Sequence, residues 1–187
     1  RVRSSAASDV YKRQLTNLSS TKNNIILDFN YTASTRLILK QCGLSDEDID
    51  NRLIKVHGEA SNNDIIFGVE DNAGIKKEHV FLRKAYNIKY KALNFSELYD
   101  RIKSVAIFGH SLGETDHTYF NKLFQESCMY NKFSTNNNKE FWLFYYKENG
   151  YHCMMQQLDS LTHNSLTSFR QYNRVNFINT DKEKVFI

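Results

Sequence analysis

Apolar and polar residues along this chain form two alternating patterns, short β-type runs and longer stretches with helical spacing. Runs of β-branched and aromatic residues bounded by polar residues or glycine predict strands. The predicted strands are 24–29, 53–56, 64–69, 104–108, 140–146 and, more weakly, 174–178. Helical spacing predicts helices at 32–41, 46–52, 77 to about 90, 96–103, 116–130 and 152–168. Because strands alternate with helices, we expect an α/β fold with a mainly parallel sheet.

The most informative segment is residues 105–116 (VAIFGHSLGETD), where a β-type run stops at a Gly-His-Ser-Leu-Gly turn and a helix follows. Two unrelated chemistries use such a turn. A G-x-S-x-G elbow presents a nucleophilic serine above a hydrolase sheet. A strand, turn and helix also hold the ribose and phosphates of a nucleotide on backbone N–H groups. A plain tight turn, which the two glycines permit, is the third interpretation.

The residues after this turn favour a loop over a nucleophile elbow. In an elbow the helix begins at the serine and is apolar at once, because it packs straight back on the sheet. Here three polar residues, 114–116, precede the first apolar positions of the helix. The helix N-cap is therefore predicted at Thr115 or Asp116. Ser111 is predicted to lie in a loop.

Composition predicts one apolar core and no membrane segment. The 187 residues are 41% apolar and include no proline. Nothing approaches the ~18 apolar residues of a membrane span, and no signal peptide is recognisable, so a soluble, cytoplasmic protein without a membrane partner is expected. Cys42, Cys128 and Cys153 are odd in number and far apart, which argues against disulfides or a zinc site. They are predicted to be reduced, semi-buried thiols, and no metal is expected.

The first fourteen residues, RVRSSAASDVYKRQ, match nothing else in the chain and look like a translated sequencing-adapter remnant. We exclude them from fold reasoning, as for other non-native segments. They carry four basic residues and one acidic residue, a net charge of +3, so the formal +4 of the chain becomes +1 over residues 15–187. The charge therefore gives no strong case for a nucleic-acid partner. Residues 15–187 are interpreted as a single α/β domain.

Polar motifs follow three of the predicted strands at the point where each strand ends. Asn30 follows the first strand, His57 and Gly58 follow the second, and residues 109–111 (GHS) follow the strand at 104–108. If these strands are parallel neighbours, all three motifs emerge at the carboxyl edge of the sheet, where ligands bind.

Four blocks, FNYT (29–32), VHG (56–58), IIFG (65–68) and FGHSLGETD (108–116), resemble the bacteriophage abortive infection proteins of the AbiH family. The resemblance spans roughly residues 24–146. In order and chemistry the blocks are also similar to sirtuin-like NAD-binding domains, in which a T-x-N-x-D block, a catalytic H-G and a G-x-S-L block follow one another. The resemblance implies a Rossmann-like, sirtuin-like three-layer sandwich that uses NAD as substrate or ligand.

Matched position by position, the resemblance implies that Asn30 helps to order the nicotinamide ribose and its water. His57 would be the general base, and Ser111 the hydroxyl that holds ribose or phosphate. The other implied cofactor contacts are Thr32, Gly58, Gly109, His110, Leu112 and Asp116.

The chain departs from the sirtuin-like pattern at three points. Thr32 stands where those blocks have an aspartate, and the zinc-binding cysteine module of true sirtuins is absent, which removes the argument for a protein deacetylase. The first strand and glycine-rich phosphate turn of such domains do not precede Asn24. The chain is therefore expected to be an N-terminally truncated, inactive fragment with an exposed sheet edge.

Cleavage of NAD at the nicotinamide C–N bond passes through an oxocarbenium-like ribose, as glycoside hydrolysis does. It needs a base near neutrality, and an imidazole, which titrates near pH 6.5, suits that role. General base catalysis typically contributes about 10²–10⁴-fold. The structural alternatives are a strand-end histidine bonded to backbone for His57 and a turn residue for Asn30.

Structural roles are also expected for neighbouring residues. Asp116 is interpreted first as the helix N-cap, although a cap that faces the crevice would also contact a ligand. Apart from the contact that the resemblance implies, His110 either lines the pocket or shapes the turn, and the residues themselves assign no role to it. His117 is expected to be solvated, and it too is assigned no role. Tyr31 either stacks on a base or joins the core, and we predict the core.

Three functions are compatible with the sequence. The leading one is a phage-defence protein with a sirtuin-like nucleotide pocket, which hydrolyses NAD or binds a nucleotide. The second is an α/β-hydrolase with Ser111 as nucleophile, and Asp159 and His163 follow in the required order, although both lie in one helix-like segment. The third is a non-catalytic, nucleotide-sensing module. The infection trigger is not identified by the sequence, and a homo-oligomer is compatible with it.

Overall fold

A computed structural model describes residues 24–65, 73–83, 101–129 and 138–181. The chain divides into two compact units, residues 1–67 with 184–187 and residues 68–183, which we call the first and second units. The predicted single domain over 15–187 stays a prediction.

Some predicted elements lie largely outside the described residues. These are the strand at 64–69, the helix at 96–103 and the second half of the helix at 77–90. The first half of the predicted helix at 77–90 is a 3₁₀ helix, Lys77–Leu82.

In the first unit, strand β1 is Ile26–Asp28 and strand β2 is Leu53–Lys55. They pair in parallel, with Ile26 opposite Leu53 and Asp28 opposite Lys55. The other elements of this unit are helix α1, Ser34–Gln41, helix α2, Asp46–Arg52, and a 3₁₀ helix, Ala60–Asn62. The predicted strand–helix–strand unit with parallel strands is confirmed.

Local sequence explains where α2 begins. Ser45 is its N-cap, and the Ser45 hydroxyl oxygen accepts a hydrogen bond from the Asp48 N–H at 3.1 Å. Three acidic residues fill the first turn, where the helix dipole favours negative charge. Inside, fully buried Leu39 and Ile49 form the centre of the apolar cluster of this unit. The partly buried residues packed against them are Ile26, Ile38, Leu44 and Leu53.

The second unit contains a three-stranded parallel sheet with strand order β3-β4-β5. The strands are β3, Ser104–Ile107, β4, Glu140–Tyr145, and β5, Arg174–Asn179. The helices are α3, His117–Ser127, α4, Lys147–Leu161, and α5, Leu166–Tyr172, with a 3₁₀ helix at Glu114–Asp116. Helices between consecutive parallel strands are typical of an α/β fold.

The core of the second unit is aromatic. Phe124 on α3, Phe141 on β4 and Phe169 on α5 are each fully buried. The Phe141 ring stacks on that of Phe124 at 5.5 Å between centroids and meets Phe169 edge-on at 4.8 Å. These three rings join the sheet to two of the helices that cover it.

The described strands form two sheets, β1–β2 and β3–β4–β5, whereas the sequence predicted one mainly parallel sheet. Every described strand pair is parallel, so the α/β class with parallel sheets is confirmed. Hydrophobic runs show that a segment is a strand, but its neighbours are chosen by tertiary contacts. The sirtuin-like three-layer sandwich stays an interpretation.

The prediction of one long helix at 152–168 is wrong, because two separate helices, α4 and α5, occupy this part of the chain. The break is a Schellman motif in which the His163 N–H bonds the Ser160 carbonyl and the Asn164 N–H bonds that of Asp159. His163 and Asn164 have φ of +50° and +60°. No glycine marks this stop, so the usual local signal for a helix end is missing at this position.

Among the helices that the structure describes, none has the length and apolar character needed to cross a membrane.

The cysteines differ in accessibility. Cys42 and Cys128 are half-buried, as predicted, but Cys153 on α4 is exposed, so the prediction is wrong for that residue. The Cys128 thiol donates to the Phe124 carbonyl at 3.2 Å, and burial raises the pKa of the Cys128 thiol. Because the thiolate is the reactive form, Cys128 should react slowly.

We therefore expect iodoacetamide at pH 8 to label Cys153 several-fold faster than Cys128 in the folded protein, as measured by mass spectrometry of peptides. In denatured protein the difference should disappear. Equal rates in the folded protein would show that the half-buried position of Cys128 does not protect it.

Candidate functional site

Asp28 shapes the turn that follows β1, residues 28–32, which we call the β1 turn. Its side chain is almost fully buried. Asp28 Oδ1 accepts hydrogen bonds from the Asn30 backbone N–H at 3.0 Å and from Asn30 Nδ2 at 3.1 Å. This is an Asx turn, in which a carboxylate replaces a backbone carbonyl. Asn30 itself is exposed, and its amide group is held by the aspartate two residues earlier.

Lys55, at the end of β2, holds the same turn from the neighbouring strand. Lys55 Nζ donates to Asp28 Oδ2 at 2.9 Å, to the Thr32 carbonyl at 2.7 Å and to the Asn30 carbonyl. An ammonium group has three protons, so these acceptors can take all of them. Sequence reasoning overlooked both charged residues. The available signal was one acidic and one basic residue at the ends of two otherwise apolar strands.

His57 lies just beyond the end of β2 and is buried, with 6% of its surface exposed. The Phe29 ring meets its imidazole edge-on at 5.3 Å, and the Tyr31 ring stacks on it at 5.6 Å with an interplanar angle of 26°. Tyr31 is 38% exposed, so the prediction that it joins the core is wrong. As a turn residue beyond the strand, it packs one ring face on His57 instead.

Gly58 is required by the backbone that follows β2. Its φ is +74°, a conformation that L side chains rarely adopt. A Cβ at this position would overlap the Asp64 carbonyl oxygen and lie 2.8 Å from the Asp64 carbonyl carbon. The Asp64 side chain in turn accepts the Glu59 N–H at 2.7 Å. The close approach of two backbone segments therefore accounts for this glycine.

The turn after β3, residues 109–113, is a loop, as the sequence predicted for Ser111. The 3₁₀ helix at Glu114–Asp116 separates it from α3. Gly109 has φ of +66° with open space around it, and Leu112 has φ of +54° with a fully buried side chain. Ser111 is exposed between them. We call residues 109–113 the β3 turn.

His110 fixes the shape of the β3 turn with both ring nitrogens. Its Nδ1 accepts the Leu112 N–H at 2.9 Å, and its Nε2 lies 3.1 Å from Asp116 Oδ2. Because Nδ1 must carry a lone pair for the first bond, the proton lies on Nε2 and is donated to the carboxylate. Of the two roles considered for His110, the geometry supports shaping the turn.

Asp116 occupies the predicted N-cap position of α3, but its side chain makes no capping hydrogen bond. The Asp116 carboxylate bonds His110 instead. The predicted position of the N-cap is therefore confirmed, but the expected capping hydrogen bond is not formed. His117 was expected to be solvated, but it is half-buried. Its Nε2 lies 3.1 Å from the Leu112 carbonyl and 2.9 Å from Gln157 Oε1 on α4, so it anchors the turn to a second helix.

The structure brings two of the three predicted motifs to one sheet edge. Asn30 and Thr32 follow β1, and His57 and Gly58 follow β2, its parallel neighbour. Gly109, His110, Ser111, Leu112 and Asp116 follow β3 in the second unit. Among the described residues, no group of three histidine, cysteine or acidic side chains is placed to hold a metal ion.

These features define a class, an α/β protein whose parallel strands end in polar turns at their carboxyl edges. The family model described as bacteriophage abortive infection AbiH matches residues 2–146. Because the match covers more than half of the 187 residues, the chain belongs to the AbiH family. The match begins inside the segment 1–14 and includes the β1 and β3 turns. A search of curated proteins and a search of solved structures each gave no match.

Proposed function

We propose that this protein acts in abortive infection against bacteriophage and binds a nucleotide, with NAD as the candidate ligand or substrate. Family membership supports the role in defence. The observation that carries the nucleotide proposal is the placement of polar turns at the carboxyl ends of parallel strands, the edge where open α/β sheets bind ligands.

The β1 turn and the residues after β2 supply the proposed chemistry on the ribose. His57 is the candidate general base and Asn30 the group that orders the ribose and its water. Support comes from their positions after neighbouring parallel strands and from the Asx turn that fixes the Asn30 amide. The burial of His57 also keeps bulk water away from a base that would act on one water or hydroxyl. Thr32, at the end of the β1 turn, and Gly58, directly after His57, are the further candidate contacts in this unit.

In the second unit, the β3 turn is by itself a candidate contact for a ribose or phosphate group. His110, Leu112 and Asp116 are engaged in bonds that hold the turn, whereas Ser111 is exposed. We assign ligand contact to the Ser111 hydroxyl and to the backbone at Gly109. The other three residues act by keeping the loop in one shape. A preformed loop lowers the conformational entropy lost on binding.

A serine hydrolase is less well supported by this geometry. Ser111 does not begin a helix, and the residue in the left-handed region is Leu112. Asp159 lies within α4, and His163 lies two residues beyond the end of that helix, with its Nε2 3.0 Å from the Gln125 side chain. Neither residue lies on a strand-end loop, where the acid and base of such enzymes are found.

The test of the proposal measures cellular NAD during infection with a panel of phages. Cells that express the intact protein should lose NAD after infection, and His57→Asn in that protein should slow the loss by about 10²–10⁴-fold if His57 is the general base. The matched control is His152→Asn on α4, where the replaced side chain is 64% exposed. This control should leave the loss of NAD unchanged.

NAD levels that are equal in wild type and His57→Asn would refute NAD consumption by this site. Calorimetric titration of the purified protein with NAD then separates the remaining alternatives. Binding without turnover would identify a nucleotide-sensing module. Absence of binding to NAD, ADP-ribose and ATP would refute the nucleotide proposal as a whole. If the His57→Asn variant still protects cells against phage, the defence role stands but does not depend on this chemistry.

A further inference from the structure

The pair formed by Lys55 and Asp28 is unusual for its burial. The Lys55 side chain is 17% exposed and that of Asp28 is 3% exposed, and the two residues face each other at the ends of β2 and β1. Removing two charges from water is costly, and an apolar pair of the same volume is often as stable. The ion pair alone therefore does not explain why a lysine stands here.

The other two bonds of Lys55 supply an explanation. Its ammonium group reaches across from β2 to the carbonyls of Asn30 and Thr32 in the β1 turn. Asp28 binds the Asn30 N–H and side chain from the other side. Together Lys55 and Asp28 hold the β1 turn at every second residue, 28, 30 and 32. Without Lys55, the carbonyls of Asn30 and Thr32 would lose this hydrogen-bond donor.

A lysine at the carboxyl end of a parallel strand in a nucleotide-binding protein invites a different interpretation, as a phosphate ligand. The bonding of Lys55 argues against that role, because three protein acceptors take all three of its protons. A phosphate contact would require at least one of these bonds to break.

We propose that Lys55 is a positioning residue, which together with Asp28 holds Asn30 and Thr32 in the geometry that binds nucleotide, and does not itself contact the ligand. This inference rests on the proposed function. It concerns a different property, however, because the shape of the turn can be measured without any ligand.

The experiment compares the full 187-residue protein with Lys55→Met, which keeps most of the side-chain length and removes all three donors. Amide hydrogen exchange at Asn30 should accelerate by about tenfold or more, because its acceptor Asp28 loses its partner. Exchange at Val56, whose N–H bonds the Asp28 backbone carbonyl in the sheet, should stay unchanged. NAD affinity by calorimetry should weaken by about tenfold, the size typical of coupled neighbours.

Lys40→Met is the matched control. Lys40 Nζ pairs with Asp46 at 2.8 Å, but both side chains are exposed. This substitution should change neither the exchange at Asn30 nor the affinity for NAD, since exposed ion pairs contribute little.

Lys55→Arg distinguishes positioning from phosphate binding. Arginine keeps the charge and binds phosphate well, but its planar guanidinium does not match three acceptors arranged around an ammonium. We expect this variant to resemble Lys55→Met in both exchange and affinity. Full affinity in Lys55→Arg with fast exchange at Asn30, or lost affinity in Lys55→Met with slow exchange, would identify a direct ligand contact and overturn the proposal. Fast exchange with unchanged affinity in Lys55→Met would show that binding does not depend on the shape of the turn, and it would also overturn the proposal.

If Lys55→Met does not fold, Asp28→Asn carries the same test. It keeps an acceptor for the Asn30 N–H and removes the charge that faces Lys55. Faster exchange at Asn30 with weaker NAD binding supports the proposal, and wild-type behaviour in both measurements overturns it. If wild type binds none of NAD, ADP-ribose and ATP, the proposed nucleotide binding fails, whereas the exchange data still decide whether Lys55 holds the turn.

Discussion

Phe141→Ala is expected to lower the free energy of unfolding by about 3–5 kcal/mol, the range found when a buried phenylalanine is truncated. Phe141 lies on β4, the central strand of the second unit, and is fully buried. Its ring contacts those of Phe124 and Phe169, which belong to two different helices. Truncation therefore opens a cavity that the sheet and both helices line, and a rigid strand cannot move to fill it.

Chemical denaturation, followed by the near-ultraviolet signal of the aromatic residues, measures this effect. The midpoint of thermal unfolding should fall by roughly 10 °C for a protein of this size. Phe81→Ala is the control, because Phe81 is 66% exposed in the second unit and its loss should cost less than about 0.5 kcal/mol. A loss below 1 kcal/mol for Phe141→Ala would mean that the aromatic cluster does not hold this unit together.

Gly58→Ala is expected to cost about 3 kcal/mol or more, because it combines two penalties. The left-handed backbone, with φ of +74°, costs a residue with a Cβ about 1–2 kcal/mol. In addition, the Cβ would overlap the backbone carbonyl of Asp64. Relief requires the segment that carries Asp64 to move away, which would also strain the Glu59–Asp64 hydrogen bond beside His57.

Gly43→Ala separates these two penalties. Gly43 ends α1 in the same first unit with φ of +88°, but nothing lies within 4 Å of where its Cβ would be. This control should lose only the backbone term, about 1–2 kcal/mol. Equal destabilisation by the two substitutions, measured by urea denaturation, would show that the contact with Asp64 is not tight. The left-handed backbone would then account for Gly58 without the contact to Asp64.

The elements that the sequence predicted best have strong local signals. Helix α2 coincides with its predicted range because Ser45 and three acidic residues mark its start. The buried positions of α3, at Tyr119, Phe120, Leu123 and Phe124, follow the predicted helical spacing. All five described strands lie within predicted runs or extend one by a single residue. Local propensity and hydrophobic period are sufficient where packing does not oppose them.

The elements that were missed depend on contacts between distant residues. The break between α4 and α5 uses His163 and Asn164 in left-handed conformations, where sequence rules expect glycine. Tyr31 packs on His57, 26 residues further along the chain, instead of joining the core. Cys153 falls on the exposed face of α4. In each case the side chain type permits several environments, and the fold selects one of them.

For the candidate site, the sequence identified the turns but not the residues that build them. Asn30, His57 and Ser111 were recognised as polar residues after strands, and the structure places each after the predicted strand. The supporting residues were overlooked or assigned no role. Asp28 and Lys55 shape the β1 turn, and His110 and His117 shape the β3 turn. A supporting residue is recognised by its partner, which the linear sequence does not show.

By itself, the sequence determined the α/β class, the parallel strand–helix–strand unit and the strand ends at which polar turns lie, because periodicity and turn chemistry are local properties. Only the tertiary structure decided which strands are neighbours and that a half-buried lysine bridges to the turn of the adjacent strand. It also decided that the side chains of two histidines hold a loop in place. These outcomes depend on hydrogen bonds and ring contacts between residues up to 40 positions apart. Their free energies exist only once the chain has folded and brought the partners together.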